Sequence, residues 1–183
     1  MTDAGVADAS EQDEERTYGG VLGTFPYAYR KSESRLLRSY VVVGGLATLV
    51  LTLGFVLALI YLLGGSFGAQ AGVFTFSRSF YIVVALAVIA PMMAPVLFVA
   101  RHHRRGDADR GYDRALAASG YVFLLSLYGM LVISAPADLR DPASDYGALA
   151  PVIEFFYGLP QLASLLPPIA AATLIYLVHR WRR

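Results

Sequence analysis

Four stretches of the chain hold no Asp, Glu, Lys, Arg or His: residues 40–63, 80–100, 117–135 and 160–178. Each is 19 to 24 residues long, or roughly 28–36 Å as a helix at about 1.5 Å per residue, which matches a hydrocarbon layer of about 30 Å. None carries a polar stripe at helical spacing, as a helix on a soluble bundle would. In lipid every backbone amide must bond within the protein, and the alternating ten-residue strands of a barrel are absent. The pattern therefore predicts an all-α integral membrane protein, with four transmembrane helices arranged as two antiparallel hairpins.

The positions of the basic residues then give the chain a direction. Arg16, Arg30, Lys31, Arg35 and Arg38 precede the first stretch; Arg101, Arg104, Arg105, Arg110 and Arg114 lie between the second and third; Arg180, Arg182 and Arg183 follow the fourth. Only Arg78 and Arg140 fall on the other side. By the positive-inside rule, this asymmetry predicts a multi-pass protein of the cell membrane with both termini in the cytoplasm.

Outside the spans the segments are short, and none is large enough for a soluble domain with its own core. Residues 1–17 carry six acidic groups against Arg16 and almost no large apolar side chain, so they read as a disordered acidic tail. Residues 18–39 form an interfacial, juxtamembrane segment, because Tyr18 to Tyr29 mixes aromatics with Gly and Pro before the first basic cluster. Ser32 is the expected N-cap, with the first helix starting at Glu33. The four-span domain fills residues 40–183. Between its first two spans, Gly64 to Ser79 reads as a surface loop or short interfacial segment, and Pro151 to Tyr157 as a short interfacial helix. Sliding the chain by 77 residues lays Pro91 on Pro168 and His102 on His179, a weak echo of one hairpin in the other.

Composition narrows the chemistry. The chain has no cysteine, hence no disulfide, thiolate metal site or cysteine nucleophile. With nothing ionisable inside the spans, proton relays, ion coupling and voltage sensing lack the groups they need at depth. No H-E-x-x-H, intramembrane aspartate pair, Ser/His dyad or phosphate-binding glycine loop is present. The sequence predicts a protein without enzymatic activity, cofactor or metal, and Asp107, Asp109 and Asp113, interleaved with Arg110 and Arg114, read as a solvated, locally paired loop rather than a nucleic-acid patch. His102 and His103 point about 100° apart on a helix, which disfavours a shared metal with Asp107 or Asp109.

Three sets of residues remain as candidates. Pro91 and Pro95 in the second span, and Pro167 and Pro168 in the fourth, each remove an amide and free a carbonyl four residues back, which makes them candidate hinges. Gly44, Thr48 and Thr52 recur every four residues in the first span, as Ala90 and Ala94 do in the second, and are candidates for close helix packing. Arg101, Arg104, Arg105, Arg180, Trp181, Arg182 and Arg183 close the second and fourth spans and are candidate contacts for anionic lipid headgroups.

The fourteen arginines to one lysine, the acidic ADASEQDEE at Ala7 to Glu15, and spans rich in Ala, Val, Leu and Gly resemble small multi-span membrane proteins of halophilic archaea. The similarity is one of composition and layout over the whole chain, without a functional motif. It implies an archaeal plasma membrane in molar salt, where a Debye length of about 3 Å confines basic clusters to contact pairs, and it assigns no site residue. The expected role is a small scaffold or accessory subunit whose partners are the bilayer and other membrane proteins or further copies of itself. The alternative is a pore or carrier for an uncharged or weakly polar solute, built on the proline-bearing second and fourth spans.

Overall fold

The computed structural model describes residues 20–64, 71–106 and 109–182, so the acidic tail expected over residues 1–17 lies outside the described residues. Among these residues six α-helices follow in order: α1 (Gly20–Lys31), α2 (Arg35–Gly64), α3 (Ala71–Arg104), α4 (Arg110–Ser134), α5 (Ala150–Tyr157) and α6 (Leu166–Trp181). Short 3-10 segments at Ala137–Leu139, Ala143–Leu149 and Gln161–Leu165 connect the last three. Among the described residues every regular element is helical. Four segments are long and apolar enough to cross a membrane: Arg35–Gly64, Phe76–Arg104, Arg110–Ser134 and Gln161–Trp181.

Helices α2, α3 and α4 run past the charge-free stretches at their basic ends because long basic side chains leave the helical backbone intact while their charged heads reach outward. Helix α3 gains the most. Residues 71–79, expected in a surface loop or short interfacial segment, form its first two turns; once a helix is nucleated, each added residue gains a bond at little cost. At the start of α2 the cap is Ser34, not Ser32: the Leu37 amide donates to Ser34 Oγ at 3.4 Å and the Arg38 amide to the Ser34 carbonyl at 3.0 Å.

The prolines behave differently in the two spans. Helix α3 runs without interruption through Pro91 and Pro95. Pro167 and Pro168, expected in the middle of the fourth span, instead lie in the first turn of α6, just after the 3-10 segment. A first-turn amide has no partner within the helix, so proline costs little there. The Ala163 carbonyl, expected to be freed, accepts from the Leu166 amide. The 77-residue echo thus superposes an interior proline on one at a helix start.

Helix α4 organises the bundle: it touches α2, α3 and α6, whereas α2 and α6 do not meet among the described residues. Its inward stripe includes Tyr112, Leu116, Ala117, Gly120 and Phe123, and it meets Leu37 and Tyr40 of α2, Val96 and Val99 of α3 and Ile175 of α6. Helix α1 docks against α2 and α3, burying Ala28 and setting Phe25 against Gly45. The outer faces are apolar too. Leu49, Leu125 and Leu131 are 65%, 69% and 67% exposed, the reverse of a soluble bundle, which seldom exposes wide contiguous apolar surface.

Tyr40 and Tyr112 are the largest fully buried side chains of this core. Tyr40 joins three helices. Its hydroxyl donates to the Met92 carbonyl at 2.7 Å, between Pro91 and Pro95 of α3, so the proline-bearing helix is bonded from α2. The ring meets Tyr121 edge-on, with centroids 5.2 Å apart, and crosses α4 where that helix has no side chain. A Cβ added at Gly120 would lie 2.4 Å from Tyr40 Cζ, and one at Gly44 3.1 Å from the same atom.

At the other end of the bundle, Arg140 donates through Nε to the Ala135 carbonyl and through Nη1 to that of Tyr157, both at 3.0 Å, with its guanidinium over the Tyr157 ring. A hydrogen bond with Tyr157, reinforced by Asp141, pushes the Tyr146 hydroxyl up to about 12. These contacts fasten the segment between α4 and α5 onto α5.

The seat of Tyr40 makes a direct prediction. Gly120→Ala displaces the ring and costs about 1–3 kcal/mol, read as a lower unfolding temperature of the detergent-purified protein. Gly129→Ala, on the same helix with nothing within 4 Å of its added Cβ, is neutral or stabilising by up to about 1 kcal/mol.

Candidate functional site

Four chain segments meet at one end of the bundle: the turn at residues 32–34, the C-terminal end of α3, the N-terminal end of α4 and the C-terminal end of α6. Helix α4 starts at Asp109, whose extended backbone lets its carboxylate accept from the Gly111 amide at 2.8 Å and the Tyr112 amide at 3.1 Å. Those two bonds hold the Asp109 carboxyl below its ordinary value, with Arg182 and His102 adding to the effect.

One turn on, Asp113 is 1% exposed. Its carboxylate accepts from Ser32 Oγ at 2.6 Å, while His103 Nε2 lies 3.0 and 3.1 Å from its two oxygens. The Ser32 hydroxyl also accepts from the Ser34 amide, and its carbonyl accepts from Arg38 Nε at 2.9 Å. A single carboxylate thus fastens the α1–α2 turn and the end of α3 to α4. Arg110 pairs with Glu33 at the surface above it, an exposed contact of small energetic weight.

A second layer is aromatic. Tyr112, fully buried, places its hydroxyl 2.6 Å from His179 Nδ1. His179 stacks on Phe98 with centroids 4.1 Å apart, and His102 lies against Tyr112 at 4.2 Å. The adjacent histidines therefore diverge, His102 toward Tyr112 and His103 toward Asp113. Among the described residues no three His, Asp or Glu side chains converge as a metal site.

The reading of Asp107, Asp109 and Asp113 as a solvated, locally paired loop is corrected at Asp113, which is buried on α4, whereas Asp109 is exposed and bonded to amides two and three residues on; Asp107 lies outside the described residues. The signal for Asp113 was present in the sequence. It is three, four and seven residues before Leu116, Ala117 and Gly120, on the apolar stripe of α4. Ser32, Tyr112 and His179 had no such signal, because their partners are 67 to 81 residues away.

The candidates fall in different places. Arg101, Arg105, Arg180, Trp181 and Arg182 are exposed at the polar end, Arg104 is exposed with its guanidinium 5.2 Å from the Tyr27 ring, and Arg183 lies outside the described residues. Gly44 sits under Tyr40. The Thr48 hydroxyl donates to the Gly44 carbonyl of its own helix at 2.6 Å, and Thr52 is exposed. Both threonines line an open apolar groove of about 580 Å³ with Phe25, Ile89 and Met93 rather than a helix interface. Pro91, Ala90 and Ala94 line a smaller groove, about 260 Å³, facing Ala172 and Ile175 of α6.

Chemically, the buried group is a clasp. In a hydrolytic triad the imidazole stands between hydroxyl and carboxylate; here the carboxylate is in the middle, so His103 has no hydrogen bond to Ser32 Oγ through which to take its proton. Removing the carboxylate leaves buried donors without an acceptor. Asp113→Ala costs about 3–5 kcal/mol and Ser32→Ala about 1.5–3 kcal/mol. Unfolding of the purified variants checks that order, and an Asp113→Ala protein as stable as the parent contradicts it.

No curated protein and no solved structure matches the chain. A family match covers residues 1–183 and carries the description Domain of unknown function (DUF8056). The chain belongs to that family over its whole length.

Proposed function

We propose that the protein is a small non-enzymatic scaffold or accessory subunit of the cell membrane. Its four long helices cross the bilayer as two antiparallel hairpins, with both termini in the cytoplasm. It binds other membrane proteins, or further copies of itself, through its outer helix faces or its basic end.

The observation that carries this reading is where polar and apolar groups sit. The outer faces of the long helices are leucine-rich and exposed, which suits acyl chains as neighbours. The buried carboxylate and all three histidines collect at one end of the bundle. Among the described residues that end also holds the segments in which eleven of the thirteen Lys and Arg lie, the bias expected of a cytoplasmic face. A carrier for an uncharged solute rests on breaks in two spans, and with Pro167 and Pro168 at a helix start only α3 has interior prolines in its long helix.

Reconstitution tests the choice. The scaffold reading expects a membrane protein to co-purify at fixed stoichiometry in mild detergent. It also expects sealed liposomes containing the protein to take up glycerol and urea no faster than protein-free vesicles. Protein-dependent uptake of either solute replaces it with the carrier reading.

A further inference from the structure

The face of α3 that leaves the bundle at the polar end carries Phe98, Arg101 and His102, spaced three and four residues apart and hence on one side of the helix, and Arg105 follows in the turn just past its end. His179 of α6 closes the opposite side, and the five side chains line a pocket of about 30 Å³. A volume of roughly 10–15 Å³ admits one water-sized group, so the pocket holds about two. It is too small for an acyl chain or a nucleobase and suits the oxygens of a compact oxyanion.

The lining is cationic and donor-rich, and among the described residues no carboxylate takes part in it. Asp113 is turned to Ser32 and His103, and Asp109 is engaged by the Gly111 and Tyr112 amides while its charge faces Arg182 and His102. Other arginines at this end are engaged: Arg38 on the Ser32 carbonyl and Arg110 on Glu33. Among the described residues neither Arg101 nor Arg105 has an ion pair or hydrogen bond from its guanidinium. His179 is held by stacking on Phe98 and by the Tyr112 hydroxyl, so its edge of the pocket is fixed before any ligand arrives. The C-terminal ends of α3 and α6 each oppose an anion with about half a charge, which the two guanidinium groups exceed.

We infer that this pocket binds a phosphate group, gripped by the forks of Arg101 and Arg105 and bordered by His102 and His179. The shared chemistry is a phosphate oxyanion, borne either by an anionic phospholipid headgroup at the membrane surface or by a small soluble phosphate. Guanidinium groups bind such oxygens in paired hydrogen bonds, which lysine does not reproduce. The site does not depend on the scaffold role, since either protein class can carry it.

Purified full-length protein in neutral detergent, at fixed ionic strength, is titrated with inorganic phosphate and separately with short-chain phosphatidylglycerol, and the rise in unfolding temperature is read. At least one of them stabilises the parent protein. Arg101→Gln and Arg105→Gln, both at exposed positions, each weaken that ligand about tenfold, whereas Arg180→Gln, exposed at the same end but outside the pocket, changes it less than about twofold. Stabilisation by phosphate alone assigns a soluble ligand, by phosphatidylglycerol alone a lipid headgroup, and by both a pocket that recognises the group whatever bears it. No stabilisation by either, or equal losses in the Arg180→Gln protein, overturns the site.

Discussion

A polar group removed from water has to find its partner inside the protein, and this bundle is organised by how few such groups it buries and where it pairs them. The buried carboxylate is Asp113, at one end, joined to Ser32 and His103. Deeper in, the buried phenol of Tyr40 is matched to the Met92 carbonyl beside Pro95. Ser119 and Ser126 turn their hydroxyls to carbonyls three residues back on α4 itself. Most of the remaining interior is apolar, so specificity of assembly rests on a small number of long-range contacts that only one arrangement of helices can make.

Those contacts also explain the central place of α4. It supplies Asp113, it supplies Tyr112 to the aromatic layer, and at Gly120 it supplies the gap that Tyr40 fills. Helices α2, α3 and α6 each meet α4 through one of these features or its neighbours. The polar end is therefore rigid by construction, with basic side chains projecting from a fixed frame. That combination suits recognition of an anion or a partner surface.

Much of the fold was legible in the sequence because apolar length is a one-dimensional signal: each charge-free stretch lies within or overlaps a long helical segment. Ala150–Tyr157 was likewise readable from Pro151 at the head of an aromatic run. Helix ends were less so. Ser32 resembles a cap, but its hydroxyl is taken by Asp113, leaving the cap to Ser34 one turn before Arg38. Pro167 and Pro168 lie in an unbroken apolar run that gives no hint of the helix start, which depends on the 3-10 turn before it. The polar cluster was least visible. Its members come from four segments, and only Asp113 announced itself, by keeping register with an apolar stripe. Tyr40 and Gly120 make a pair that neither residue suggests alone, since a glycine in a long apolar helix has many uses.

The central claim is that the exposed leucine faces are in lipid while the polar end is at the water. With no native cysteine, single nitroxide labels can be placed along the outward face of α2 in liposomes and their accessibility compared between oxygen, which concentrates in lipid, and a water-soluble nickel chelate. The account predicts that oxygen exceeds the chelate most at Leu49 and Leu53 and that the excess falls toward Leu36. Chelate reaching Leu49 as freely as Leu36 contradicts it.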